Sequence, residues 1–173
     1  MAEADNQAIN AANPQLGAAV VFNFENIYGK DMSIEIPHAP AIFLETEAPA
    51  LETQINIDAS NFSEGMYEVV VTATVTTKLK EKVVFLVELR QAGIFEIRNV
   101  PQDQIDPLLG IHCAGVLFPY LRANVADIVS RAGFAALHLP NVNFEAFYAQ
   151  RLQQMEEARR TGQTVAPANM TVQ

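Results

Sequence analysis

The sequence predicts an α+β fold in which a four-stranded antiparallel sheet precedes two helices. Three observations lead there. From Val20 to Ile97 apolar residues recur at every second position, and after Pro101 they recur with the period of a helix. The two patterns follow one another instead of alternating, which separates an antiparallel sheet from a βαβ arrangement. Half of the 173 residues are hydrophobic and 18% are charged, enough to bury the core of one domain.

The first strand is long. Met32, Ile34 and Ile36 alternate with Asp31, Ser33 and Glu35, and Tyr28-Gly29 marks the place where the strand would break. Pro37, Pro40 and Pro49 set an irregular crossover before the second strand, where Leu51, Thr53, Ile55 and Ile57 alternate with Glu52, Gln54, Asn56 and Asp58. Tyr67–Val75 and Val83–Ile97 are β-branched runs. Their short connection near Lys78–Lys82 predicts a hairpin, although it lacks an Asn-Gly turn.

Asp106-Pro107 predicts a helix start, an N-cap acceptor followed by proline at the first helical position. This helix should run to about Arg131, be stopped by Gly133 and be kinked by Pro119. A second helix is predicted from Asn143 to about Arg160, with Glu145 near its positive end and Arg159 and Arg160 near its negative end. Residues 1–19 read as a flexible arm, 20–160 as a single domain, and the uncharged stretch 161–173 as a disordered tail.

Charge narrows the function classes. Eleven Lys and Arg face 20 Asp and Glu, giving −9 and a pI near 4.7. Such a surface disfavours nucleic acid and anionic lipid and suits basic partners. Lone Cys113 forms no intrachain disulfide. Met1–Asn26 holds Glu3, Asp5 and Glu25 and no basic residue, so a secretory leader is not expected. The charge-free run Pro107–Leu121 is broken by Gly110, His112, Gly115 and Pro119, and falls short of the ~18 apolar residues of a membrane span. A reducing cytoplasm is the expected compartment.

Leu108, Leu109, Ile111, Cys113, Val116, Leu117, Phe118, Tyr120 and Leu121 make the first helix apolar nearly all round. A helix packed on its own sheet needs only a stripe about 100° wide. The surplus predicts a homo-oligomer with helices sandwiched between sheets and Leu109, Cys113, Val116 and Tyr120 at the interface. The alternative is a central helix wrapped by its own chain.

On the fourth strand Val83, Phe85, Val87 and Leu89 form the apolar face, while Leu86 stands beside Glu88 and Arg90 on the other. Asp31 and Glu35 share a face of the first strand, ~13 Å apart. On one sheet these would form an acidic surface with a leucine in it, suited to a basic, partly apolar peptide. An ordinary solvated face is the plainer reading.

Catalytic patterns are missing from the sequence. Ser33, Ser60, Ser63 and Ser130 lie in no nucleophile elbow, and the glycines form no phosphate-binding loop. His38, His112 and His138 are far apart, so neither metal nor cofactor is expected. His112-Cys113 point in different directions on a helix, in apolar surroundings that raise a thiol pKa. The residues point to a binding protein and not to an enzyme.

Several segments are distinctive. Ile27-Tyr28, Lys30-Asp31-Met32-Ser33-Ile34-Glu35 and Pro37-His38-Ala39-Pro40 are followed by Tyr67-Glu68-Val69-Val70, Thr74-Val75-Thr76 and Phe85-Leu86-Val87-Glu88. Gln91-Ala92-Gly93-Ile94-Phe95, Leu117-Phe118-Pro119-Tyr120 with Arg122, Ser130-Arg131, Phe134 and Asn143-Phe144 complete the set. Together, from about Phe22 to Leu152, they resemble the SecB protein-export chaperone family.

The resemblance implies a cytoplasmic bacterial homotetramer, a dimer of dimers, that binds unfolded precursor proteins and hands them to the SecA ATPase. It implies that Asp31, Glu35, Leu86 and Glu88 meet the basic, zinc-binding tail of SecA, the zinc belonging to that partner. Val87, Leu89 and Gln91 match positions to which family oligomer packing is sensitive. The family's client groove maps to Phe43, Leu51, Ile55 and Ile57, with Tyr148 and Leu152 on the helix side. One departure is plain: many members carry a tryptophan near Glu47, and this chain has none. The alternatives are a SecB-like chaperone of a toxin–antitoxin system and a small-molecule enzyme using an apolar pocket with His112 or Cys113.

Overall fold

The computed structural model describes residues 19–161 and 170–172. Four strands form an antiparallel sheet: β1 (Val21–Glu35), β2 (Ala50–Ser63), β3 (Met66–Leu79) and β4 (Lys82–Arg98). A three-residue β5 (Met170–Val172) adds to the far edge, giving the order β1-β4-β3-β2-β5. The expected arm lies outside the described residues except for Ala19, as does most of the expected tail. Met170–Val172 departs from that expectation by pairing with β2.

β1 is unbroken, but its register on β4 shifts between Phe24 and Asn26 and again between Gly29 and Asp31. The expected break at Tyr28-Gly29 is therefore a bulge that bends the strand without ending it. The β3–β4 hairpin closes between Leu79 and Lys82, with Lys80 in the left-handed region at φ 56°. Lys80 thus adopts the conformation that Asn or Gly would have announced. A one-turn 3-10 helix, Ala41–Leu44, interrupts the crossover.

Helix α1 runs from Gln102 to Arg131 and passes through Pro119. Its start corrects the sequence reading, because Pro101 leads in and Asp106-Pro107 lies inside. Pro107 has no N–H to give, and the next residues, Leu108–Cys113, widen into a π-helical turn. Gly133, at φ 91°, ends the helix as expected, and the Phe134 amide reaches back to the Val129 carbonyl. Helix α2 (Phe144–Thr161) is capped by Asn143, whose Oδ1 accepts from the Ala146 amide at 3.0 Å.

By length and composition α1 is apolar enough to cross a membrane, contrary to the estimate from its charge-free run. Here it lies across the sheet. Leu109, Cys113, Leu117, Leu121, Val125 and Val129 are buried in one cluster with Val71, Val87, Leu89 and Phe95 of the sheet. Helix α2 covers a second flank, with Phe118 edge-on to Phe144 and Tyr148 close against Gly110.

Candidate functional site

The sheet register builds the outer surface. Glu35 stands opposite Leu86, Ser33 opposite Glu88 and Asp31 opposite Arg90. Directly opposed residues share a face, so Asp31, Glu35, Leu86 and Glu88 do lie together. Thr72, Thr74 and Thr76 of β3 continue these rows toward Asn56, Gln54 and Glu52 of β2. Glu88 is exposed and Leu86 half-buried, so carboxylates surround an apolar contact point on a threonine-rich sheet. Arg90 sits among them, a basic residue that strand parity alone also placed there. Further along the face, Lys30 bridges both oxygens of Glu68 at 2.7 and 2.9 Å, and the Tyr28 hydroxyl donates to the same carboxylate. Lys30 and Tyr28 hold the Glu68 pKa below its usual value, and the bond to Glu68 pushes that of Tyr28 up to about 12.

The apolar residues expected in a client groove separate. Ile55 and Ile57 are 1% and 2% exposed, sealed into the chain's own core, which corrects their assignment to an open groove. Parity places them on the inner face, and the face is already covered from within the subunit. Leu51, one step beyond that cover, is exposed, as are Phe43 and Leu152. Tyr148 is half-buried, and its hydroxyl donates to Asp106 Oδ2 at 2.7 Å.

Phe43 joins a site that the sequence did not reveal. Its ring stacks on Phe134 with centroids 5.0 Å apart, and Phe134 leans on Phe85 at 4.9 Å. Ile42, Leu79 and Val84 join Phe43 and Phe134 around a cavity of about 280 Å³ between the crossover and the end of the sheet. Glu45 and Glu47 at its rim pair with Lys82 at 3.1 Å and Lys80 at 2.9 Å, tying the crossover to the β3–β4 hairpin. Phe134 follows the stop at Gly133 in an irregular segment, where no period marks it as a packing residue.

The expected interface set divides as well. Val87, Leu89, Gln91, Leu109 and Cys113 are buried within the subunit. The internal cover given by the sheet and α2 is the reason. Val116 is half-buried and Tyr120 is 50% exposed, and with His112 they form the open side of α1. Burial pushes the Cys113 thiol up to about 12, far from a reactive thiolate. His112 lies against Phe22, with ring centroids 5.2 Å apart, away from the Cys113 core. Among the described residues no cluster of His, Cys, Asp and Glu fits a metal ion.

The family model described as preprotein translocase subunit SecB matches residues 15–155. A protein-export protein SecB of Cupriavidus pinatubonensis is 61% identical over 142 residues, covering 82% of this chain and 83% of its own. A protein of the same description from Burkholderia mallei is 54% identical over 141 residues, covering 82% of this chain and 89% of its own. Among solved structures, a SecB-like chaperone of Mycobacterium tuberculosis, in complex with a ChAD peptide from the HigA1 antitoxin, shares the fold. Its TM-score is 0.58 at 13% identity, covering 70% of this chain and 90% of that one. With a family model spanning most of its length and relatives near 60% identity, this chain belongs to the SecB family of protein-export chaperones.

Proposed function

We propose that the protein is an ATP-independent holdase that binds unfolded precursor proteins in the cytoplasm and delivers them to the SecA ATPase. It works as a homotetramer, a dimer of dimers joined through the open side of α1 around Val116 and Tyr120. The observation that carries this reading is the pairing of β1 with β4, which gathers Asp31, Glu35, Leu86 and Glu88 on the outer face. Two surfaces of different chemistry suit two tasks.

Clients are held by burial. Each apolar side chain removed from water contributes about 1.5–3 kcal/mol when fully covered. Phe43, Leu51, Leu152 and the crossover cavity offer separate apolar contacts for an extended chain. A folded client hides the side chains that these contacts need, so the unfolded state is selected by mass action. SecA docks on the acidic face through a basic tail, with Leu86 as its apolar anchor. A toxin–antitoxin client leaves that face without an occupant.

The test is to dilute a denatured precursor into buffer with the protein and no nucleotide, following aggregation by light scattering. Suppressed aggregation is the expected outcome. Aggregation at the rate seen without the protein would refute the holdase.

A further inference from the structure

The outer edge of β2 carries two backbone contacts in series. Arg151 of α2 donates from Nη1 to the Ile57 carbonyl at 3.3 Å. Next along the edge, β5 pairs antiparallel, with Met170 opposite Ile55, Thr171 opposite Gln54 and Val172 opposite Thr53. In an antiparallel ladder the N–H and C=O of alternate residues point to the same side. The Ile57 carbonyl faces away from β3, so Thr53 and Ile55 also present their polar groups outward, where the tail meets them.

β2 is 14 residues long, and among the described residues β5 pairs with three of them. A long open edge is a template for any extended chain. Leu51, exposed beside Thr53, adds an apolar contact at the same place. The occupant is chemically like a stretch of unfolded protein. Residues 161–173 carry no charge in a chain of −9, and Met170-Thr171-Val172 alternates apolar and polar with the period of a strand.

We infer that the β2 edge at Thr53–Ile55 is a strand-addition site for extended, uncharged client segments, and that the chain's own C-terminal strand is the competitor they displace. The inference rests on the holdase reading above. Main-chain bonds to an added strand are blind to side-chain identity, which gives a site as tolerant of sequence as unfolded clients require. The tail is joined to α2 by residues 162–169, a tether short enough to keep it at an effective concentration of order millimolar. A weak ladder therefore stays occupied. Client affinity falls in proportion to the fraction of edges left open, about three- to tenfold for an edge filled some 70–90% of the time.

The test compares the intact chain with one truncated after Thr161, using amide hydrogen exchange and binding of a permanently unfolded, cysteine-alkylated probe protein. Truncation is expected to speed exchange at Thr53 and Ile55 about tenfold. It is also expected to tighten probe binding about three- to tenfold. A synthetic peptide of residues 162–173 restores the weaker binding. The double variant M170P/V172P, which removes two ladder donors, behaves like the truncation. Unchanged exchange, or equal probe affinities, overturns the proposal. If neither chain binds the probe, the holdase reading and the competition fall together, while exchange still decides whether the tail holds the edge.

Discussion

Asn124 on α1 donates a 2.7 Å hydrogen bond to Gln91 Oε1 in the middle of β4, and Gln91 Nε2 donates to the Tyr28 carbonyl on β1 at 2.9 Å. One buried side chain thus ties the helix, an inner strand and an edge strand. Gln91→Ala removes both bonds and leaves a void, and should cost about 1–3 kcal/mol in chemical denaturation. Asn124→Ala spares the bond to β1 and should cost less. Equal, negligible losses would show that the network does not hold the sheet to the helix.

Gly93 marks the close approach of α1 to the sheet. A Cβ placed there would stand 2.6 Å from Leu117 Cδ2 and 3.0 Å from Phe95 Cε2. Both neighbours are fully buried, so neither has room to move. Gly93→Ala should destabilise the fold by about 1–3 kcal/mol. A thermal transition unchanged from the parent would contradict this packing.

Glu88→Lys reverses one charge on the acidic face without touching the inner core. Docking of SecA should weaken by about tenfold or more, while binding of an unfolded client stays within about twofold. Added salt should weaken SecA docking more than client binding, because only docking relies on surface carboxylates. Titrations of both partners at two salt concentrations check the split, and equal salt sensitivity would count against it.

Cys113 supplies a pH test. Its thiol is pushed up to about 12 in the folded chain against 9.0 as an ordinary thiol. The raised value means that its contribution to stability is complete below pH about 9 and is lost as pH rises from there toward 12. The loss amounts to about 1.4 kcal/mol for each pH unit in that window. Cys113→Ala should flatten this alkaline decline, apart from its own cavity cost. The native thiol should resist alkylation at neutral pH until the chain unfolds; rapid labelling would revive the enzyme reading.

Much of the fold was legible because strand parity is a strict signal. Leu86 and Glu88 differ from Val87 and Leu89 by one position, and one position decides the face. The acidic surface could therefore be assembled from sequence, needing only the register of Glu35 on Leu86 to close it. Parity says which way Ile55 and Ile57 face but not what covers them, so a groove was expected where the core is sealed. The start of α1 was hidden because Asp106-Pro107 imitates a cap, while the π-helical turn that accommodates Pro107 has no sequence period. The crossover cavity was invisible for a related reason. Phe43 lies in the crossover between β1 and β2 and Phe134 beyond the end of α1, and only the tertiary fold brings their rings to 5.0 Å.

Multi-angle light scattering with and without an unfolded precursor tests the central claim most directly. The protein alone should have the mass of four 19.0 kDa chains, and the mass should rise by that of the precursor when the two are mixed. A single-chain particle whose mass is indifferent to the precursor would contradict the account.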